Sequence, residues 1–246
     1  MLPYLQLAAA SIADQPGVSF EHIVVDAVSN DGTAEWLENR ENTTGIIEKD
    51  KGMYDAINKG LDKSRGDIVA YLNCDEQYLP GTLSFVKDYF DAHPGVDVLF
   101  GDLLLIRPDG SLVAFRKGYR PSWRYIVTSH LYVLSCTMFF RRKLIEEGIR
   151  FDSTFKAAGD AHFVINLLRK GYKAEHIKKY LSAFIMTGKN LSTDERAIKE
   201  QNELLNIAPS YLKLGKPAIN ILRLTEKFLS GAYFQKKPLE YSVYTM

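Results

Sequence analysis

The chain has 246 residues, of which 46% are hydrophobic and 25% charged, and its formal net charge is +1. This balance is typical of a folded globular protein and gives no sign of an overall positive field that would capture nucleic acid. Two cysteines, Cys74 and Cys136, make no disulfide framework. No apolar run reaches the roughly 18 residues of a membrane-spanning helix. We therefore expect a protein of a reducing compartment, the cytoplasm, with no nucleic acid as partner.

Residues 1–95 alternate between predicted helices and strands. The opening segment LPYLQLAAASIADQ is typical of an amphipathic helix, and EHIVVD is a short β-branched strand. The turn cluster SNDGT then leads into a helix from Thr33 to Arg40. A strand at 44–50, a helix at 53–64 and the strand DIVAYLN complete this half. Strands that alternate with helices favour parallel pairing, with the helices covering the sheet.

The pattern changes after residue 95. The strands VDVLFGDLLLI and LVAFR flank RPDGS, whose Asp-Gly pair predicts the turn of a hairpin. The segment GDAHFVINLLRKG predicts a helix that ends at Gly171. We expect one domain over 1–192, with halves at 1–95 and 96–192, followed by a helical extension over 193–246.

Acidic residues follow three of the predicted strands: Asp26, Asp50, and the pair Asp75 and Glu76. Ligands of open α/β sheets bind outside the carboxyl ends of the strands, so we expect these acids to meet at one crevice. Clustered carboxylates repel unless a cation lies among them, and hard oxygen ligands favour magnesium or manganese. Such ions complete their shell with substrate phosphates, which indicates a nucleotide-like ligand. The alternative is that these acids cap loops and bind nothing.

Two long segments, VVDAVSNDGTAEWL and EKDKGMYDAINKGLDKSRGDIVAYLNCDE, resemble the nucleotide-sugar half of glycosyltransferase family 2. GDAHFVINLLRKG resembles the acceptor-half helix whose leading aspartate is the catalytic base of that family, and the matching residue here is Asp160. The resemblance covers roughly residues 2–200. It implies an α/β fold of the GT-A type, in which a Rossmann-like mixed sheet binds the nucleotide sugar, with helices added at the C-terminus.

The resemblance also implies a reaction, an inverting transfer of a sugar from a nucleoside diphosphate to an acceptor hydroxyl. Asp160 would be the general base. A magnesium or manganese ion on Asp75 and Glu76 would offset the charge that develops on the diphosphate leaving group. The family usually has Asp-Asp where this chain has Asp75-Glu76, but the longer glutamate can still bind a hard cation.

The resemblance also implies that four further residues bind the nucleotide-sugar donor. Asp26 and Asp50 would hold the base and ribose, while Asp55 and Lys59 would line the phosphate side, unless Asp55 only caps its helix. Asp75 would contact the donor through the metal. The expected acceptor is a glycan or a lipid-linked sugar in the assembly of cell-surface polysaccharide.

The sequence departs from the family at its start. Family members begin with a strand ending in a Thr-Pro-type turn that touches the nucleobase, ahead of the helix that residues 2–15 resemble. That strand normally lies between the strands HIVVD and DIVAYLN, so we expect an unpaired edge on each. A misassigned start, a shortened chain and a degraded copy of the enzyme all remain open.

Two other functions compete with sugar transfer. A non-catalytic family member would only bind nucleotide or glycan. A nucleotidyltransferase would carry a Gly-rich phosphate loop near the N-terminus, and this sequence has none. The basic, apolar segment KPAINILRLTEKFLSGAYFQKK fits a helix on the inner face of a membrane, a helix packed on the domain, or a dimer contact.

Overall fold

The computed structural model describes residues 1–188, 195–206, 208–235 and 239–246. Its first part alternates helices and strands as the sequence predicts. The elements are α1 (Leu2–Ala13), β1 (Ile23–Asp26), α2 (Thr33–Glu38), β2 (Thr44–Ile47), α3 (Met53–Lys63), β3 (Ile68–Ala70), β4 (Glu76–Tyr78) and α4 (Thr82–Ala92).

The second part begins with two long strands and ends in helices. Its elements are β5 (Val98–Ile106), β6 (Leu112–Arg116), α5 (Trp123–Thr128), β7 (Phe139–Arg141), α6 (Lys143–Glu146), α7 (Gly159–Arg169), β8 (Ala174–Ile185), α8 (Glu195–Asn206), α9 (Ser210–Leu214) and α10 (Lys216–Leu229). The predicted hairpin is confirmed, since β5 and β6 pair antiparallel around the Asp-Gly turn.

The strands form two sheets. In the larger sheet the order is β3-β7-β5-β8-β4, with β6 added to β5, and the smaller sheet contains the parallel pair β1-β2. The long strands β5 and β8 run parallel at the centre of the larger sheet. Our expectation of parallel pairing for β3 was wrong, because β3 lies beside β7, a strand from the second half of the chain, and runs antiparallel to it.

Aromatic side chains join the two halves of the chain beneath α7. The ring of Phe151 stacks on Phe163 of α7, with ring centroids 3.9 Å apart, and on Tyr54 of α3 at 5.7 Å. All three side chains are buried. Burial of three aromatic side chains supplies a large hydrophobic stabilisation, so α3 and α7 are held in a fixed relation.

The C-terminal segment packs on this body. Leu204 of α8 is fully buried, and α10 lies against α5. The predicted helical extension contains α8, α9 and α10, and residues 239–246 at its end are not helical. Gln77 of β4 instead pairs with Tyr244, the side-chain amide bonding both the backbone N–H and the carbonyl of that residue at 2.9 Å. Over the ranges that the structure describes, no helix combines the length and the apolar character needed to cross a membrane.

Among the described residues, the two sheets share no strand. There, β1 pairs only with β2, and β3 pairs only with β7, so each has one edge without a strand partner. Such edges are templates for pairing with other chains. The predicted unpaired edges are therefore present.

We expect the 246-residue chain to be marginally stable, or to associate through the free edges of β1 and β3. Each buried polar group without a partner costs about 1–3 kcal/mol, against a total domain stability of about 5–15 kcal/mol. Light scattering coupled to size exclusion, together with calorimetric melting, measures both properties. A monomer that melts in one sharp cooperative transition would contradict this expectation.

Candidate active site

Asp160 is the second residue of α7 and lies where the two halves of the chain meet. Its Oδ1 accepts a hydrogen bond from the backbone N–H of Ala161 at 2.8 Å and a long one from the Tyr54 hydroxyl at 3.4 Å. Burial of the carboxyl raises the pKa of Asp160 to about 6, although both hydrogen bonds act to lower it. A carboxylate with a pKa near neutrality is suited to accept a proton.

Tyr54 sets the distance between α3 and α7. Its ring lies so close to Gly159 that a Cβ atom there would come within 2.5 Å of the ring Cε2. Glycine at 159 is therefore required by packing, and it brings the neighbouring carboxyl of Asp160 to the Tyr54 hydroxyl. Burial, followed by the charge of Asp160, raises the pKa of Tyr54 far above its usual range, so the phenol keeps its proton.

The side chain of Glu76 stabilises the turn at residues 73–76 by hydrogen bonds within that turn. Glu76 Oε2 accepts a hydrogen bond from the backbone N–H of Asn73 at 2.7 Å, and Oε1 accepts one from its side-chain amide at 3.1 Å. Burial raises the pKa of Glu76 to about 8, with further contributions from the charges of Asp75 and Asp160. We predicted that Asp75 and Glu76 end one strand together. Instead the strand ends at Ala70, and Glu76 begins β4 facing into the protein.

The convergence of Asp26, Asp50, Asp75 and Glu76 at one crevice stays a prediction. Among the residues that the structure describes, no three His, Cys, Asp or Glu side chains lie together as a protein-only metal site. Magnesium and manganese often take only one or two carboxylates and complete their shell from water and phosphate. Asp75, in the turn before β4, fits such a site, whereas the hydrogen bonds and burial of Glu76 favour a structural role for that side chain.

Asp26 is buried at the end of β1 and shapes the loop that follows. Its Oδ2 accepts a hydrogen bond from the backbone N–H of Ser29 at 2.8 Å. Within this loop Val28 has a positive φ of 67°, which is rare for a β-branched residue. Such strain is concentrated at functional sites in proteins, which agrees with the predicted donor-binding position of Asp26.

The three remaining predicted donor residues lie around the N-terminus of α3. Asp50 accepts a hydrogen bond from the backbone of Gly52 at 2.8 Å, and Asp55 accepts one from the backbone of Lys51 at 3.0 Å. Lys59 pairs with Glu48 at 2.9 Å, as well as with Asp55 at 3.8 Å. Each of these side chains thus braces the loop between β2 and α3, including the capping contact that the sequence left open for Asp55.

The structure therefore divides the predicted site residues. Glu76 lies within electrostatic reach of both Asp75 and Asp160, while the other acids organise loops of the first half. Sequence reasoning missed Tyr54 and Gly159, which set the position of Asp160. The local sequences MYD (53–55) and AGD (158–160) give no sign of this contact, because the two residues that meet are about a hundred positions apart in the chain.

The arrangement of strands and helices is the mixed α/β fold of the GT-A class. The structure resembles TarS residues 1–349 of S. aureus in complex with UDP-GlcNAc, with a TM-score of 0.66, 20% identity, and coverage of 92% of this chain and 69% of the other. It also resembles the mannosyltransferase PcManGT of Pyrobaculum calidifontis in complex with GDP-Man and Mn²⁺, with a TM-score of 0.57, 18% identity, and coverage of 96% and 73%.

Residues 2–149 match the family model described as "Glycosyl transferase family 2". The chain belongs to glycosyltransferase family 2, a family of sugar-transferring enzymes.

Curated relatives support the same family. A PGL/p-HBAD biosynthesis glycosyltransferase of Mycobacterium tuberculosis is 32% identical over 117 residues, which are 43% of this chain and 46% of that protein. Glycosyltransferase AglE of Haloferax volcanii is 26% identical over 177 residues, 68% of this chain and 57% of that protein. The chain thus spans about half the length of the curated relatives that it matches.

Proposed function

We propose that this protein transfers a sugar, with inversion, from a nucleoside diphosphate to an acceptor hydroxyl, and that Asp160 is the general base. The observation that carries the proposal is the environment of Asp160. Its carboxyl lies at the junction of the two halves, and burial brings its pKa to about 6. Ionised above that pH, it can take the proton of an attacking hydroxyl, an effect worth about 10²–10⁴-fold in rate.

The first half would bind the donor. The loops held by Asp26 and Asp50 follow parallel strands, where α/β sheets bind nucleotides. Asp55 and Lys59 would face the phosphate side, at the N-terminus of α3, where backbone N–H groups and the helix dipole favour anions. Relatives of the same fold that bind UDP-GlcNAc and GDP-Man support this placement.

A divalent metal would assist this reaction, with Asp75 as its carboxylate ligand. When bound, magnesium or manganese neutralises charge on the departing diphosphate. A fold relative in complex with Mn²⁺ supports the choice of metal. Glu76, also predicted as a ligand, would act through the turn that it braces and so orient Asp75.

The acceptor would be a glycan or a lipid-linked sugar of the cell surface, and the C-terminal helices would bring the enzyme to the inner face of the membrane. Helix α10 supports this because its polar side faces inward. Arg223 is buried and donates to the Tyr119 hydroxyl at 3.3 Å, and Glu226 accepts hydrogen bonds from Arg120 and Tyr125. Six large apolar side chains face solvent, five on α10 and one at the end of α9: Ile221, Leu222, Leu224, Phe228 and Leu229, and Leu214.

The charge of this segment favours an anionic membrane over a second copy of the chain. Residues 213–227 hold four cationic side chains and one carboxylate, and with Arg223 buried three lysines, Lys213, Lys216 and Lys227, remain at the surface. An apolar helix face with cationic residues beside it is the pattern of helices that lie in the interface of anionic lipids.

The alternative is a protein that binds nucleotide or glycan without catalysis. The free edges of β1 and β3 favour this alternative, because the wall of a nucleotide site beside β1 would be incomplete. Binding of UDP or GDP without turnover of the corresponding sugar nucleotides would establish it.

We expect Asp160→Asn to leave donor binding unchanged and to reduce turnover by roughly two orders of magnitude or more, because the amide cannot accept the proton. The wild-type rate should fall as the pH drops through about 6, where the Asp160 carboxylate becomes protonated. Release of UDP from UDP-GlcNAc and of GDP from GDP-mannose, with calorimetric binding in parallel, gives both quantities.

The matched control is Asp88→Asn, which changes an exposed aspartate on α4. It should behave as wild type in both measurements. Normal turnover by Asp160→Asn, or an equal loss of donor binding, would instead assign Asp160 to capping of α7.

We expect Asp75→Asn to abolish the manganese-dependent part of UDP or GDP binding, since a neutral amide is a poor ligand for a hard cation. Titration calorimetry with and without manganese separates this part from metal-independent binding. An unchanged manganese effect in the variant would remove Asp75 from the metal site.

We expect the wild-type protein to sediment with vesicles that contain an anionic lipid and to bind pure phosphatidylcholine vesicles more weakly. The triple variant Leu214→Ser, Ile221→Ser, Leu229→Ser should lose this binding by roughly tenfold or more, because three exposed apolar side chains no longer enter the lipid. Val113→Ser, an exposed apolar residue on β6, is the control. A wild-type dimer that the triple variant converts to a monomer would show that a second copy covers this face.

A further inference from the structure

Glu200 of α8 binds three consecutive backbone N–H groups of the loop that leads into α7. Its Oε1 accepts a hydrogen bond from Lys156 at 2.8 Å, while Oε2 accepts from Ala157 at 2.9 Å and from Ala158 at 2.7 Å. The last of these residues is the N-cap of α7, and Asp160 follows two positions later. One carboxylate from the C-terminal extension therefore fixes the backbone just before the proposed base.

The N-cap residue of α7 supplies no capping side chain. Ala158 stands at this position, and inside the first turn the Asp160 carboxyl accepts a hydrogen bond from the N–H of Ala161. Alanine is a poor N-cap residue, because its side chain has no group that can accept a hydrogen bond from the first turn. A carboxylate that accepts several successive backbone N–H bonds satisfies these donors and is favoured by the positive end of the helix dipole. Glu200 satisfies the N–H of Ala158, the N-cap residue, together with the N–H groups of the two loop residues before it.

The loop that Glu200 holds also contacts the donor half. The Lys156 ammonium donates to the carbonyl of Lys51 and, at 3.1 Å, to that of Ser153. A Cβ atom on Gly52 would lie 3.3 Å from the Lys156 Nζ, so the two loops are in close contact. Movement of residues 156–158 would therefore disturb the loop before α3 as well as Asp160.

Glu200 is itself fixed in place by its helix. Leu204, one turn further along α8, is fully buried, and the side-chain amide of Gln201 donates to the carbonyl of Ile126 in α5 at 3.2 Å. The carboxylate thus approaches the loop from a packed helix, and its position is set by the body of the protein.

We infer that Glu200 is a positioning residue, which holds loop 156–158 so that the carboxyl of Asp160 stays beside Tyr54. The C-terminal extension then completes the acceptor half. The hydrogen bonds by which Glu200 holds the loop do not depend on the reaction that the protein catalyses. The expected effect of Glu200 on turnover rests on the proposed role of Asp160.

The charge of Glu200 gives this inference a second, independent readout. Glu200 raises the pKa of Asp160 through its negative charge. Among the described residues, Tyr54, Tyr71 and Glu76 also interact electrostatically with Asp160. Both tyrosines keep their protons, because burial raises their pKa well above the usual range. Glu200→Gln removes one negative charge and should move the Asp160 titration to lower pH.

The experiment compares Glu200→Gln with Glu203→Gln, which changes an exposed glutamate of the same helix. Two measurements need no substrate: amide hydrogen exchange of residues 156–158, and titration of the Asp160 carboxyl by NMR. In Glu200→Gln we expect exchange to be roughly tenfold faster or more, because the charged acceptor is lost and local opening is easier. The Asp160 midpoint should fall, and Glu203→Gln should match wild type in both.

Turnover tests the catalytic consequence. If the wild type releases UDP or GDP from a sugar nucleotide, Glu200→Gln should lower kcat by roughly tenfold to a hundredfold with little change in KM, because misplacement of a catalytic group costs this much. Glu200→Asp, which keeps the charge but shortens the reach, should keep the Asp160 midpoint nearer to that of wild type while the loop still exchanges faster.

The outcomes separate the inference from the proposed function. Unchanged exchange at 156–158 together with an unchanged Asp160 midpoint in Glu200→Gln would overturn the inference. Faster exchange and a lower midpoint in a protein without sugar-transfer activity would support it while the proposed function fails. Exchange at Leu204 reports whether α8 stays packed, and loss of this protection in Glu200→Gln alone would mean that Glu200 serves α8 itself, which also overturns the inference.

Discussion

The close contact between Tyr54 and Gly159 is the constraint on which the rest of the site depends. A ring from the first half of the chain lies where any larger residue at 159 would place its Cβ. Stacking with Phe151 holds the ring in position from the other side. Because Asp160 follows Gly159 directly, this contact brings its carboxyl to the surface between the two halves.

Two carboxyl groups close to this contact differ in what their surroundings do to them. Glu76 is buried and internally hydrogen-bonded, and its pKa of about 8 means that it carries a proton at neutral pH. Asp160 keeps part of its surface exposed, and burial raises its pKa only to about 6, which leaves it largely ionised at the same pH. Surroundings that give two carboxyl groups such different pKa values distinguish an acid with a structural role from one that can act as a base.

The body of the protein and its C-terminal segment are interdependent. Glu200 caps the helix that carries Asp160, and the tail pairs with Gln77 in β4. Helix α10 turns its polar residues toward the body and its apolar residues outward. The hydrophobic pattern of that helix shows an amphipathic element, yet the direction in which its apolar side faces is set by the partners of Arg223 and Glu226.

The sequence by itself determined what depends on neighbours along the chain. The helical spacing of α3 and α7, the Asp-Gly hairpin of β5 and β6, and the motif spacing that indicates the family all lie within short segments. The position of Asp160 at the head of a helix belongs to this group.

Only the tertiary structure decided which side chains meet. The antiparallel pairing of β3 with β7, the inward position of Glu76, the contact of Tyr54 with Gly159 and the capping by Glu200 could not be predicted. Apart from Glu76, these contacts join residues more than 40 positions apart, where the partner of a polar or aromatic side chain is chosen by packing of the whole chain. Glu76 has a local partner in Asn73, but its burial is imposed by pairing of β4 with the distant strand β8.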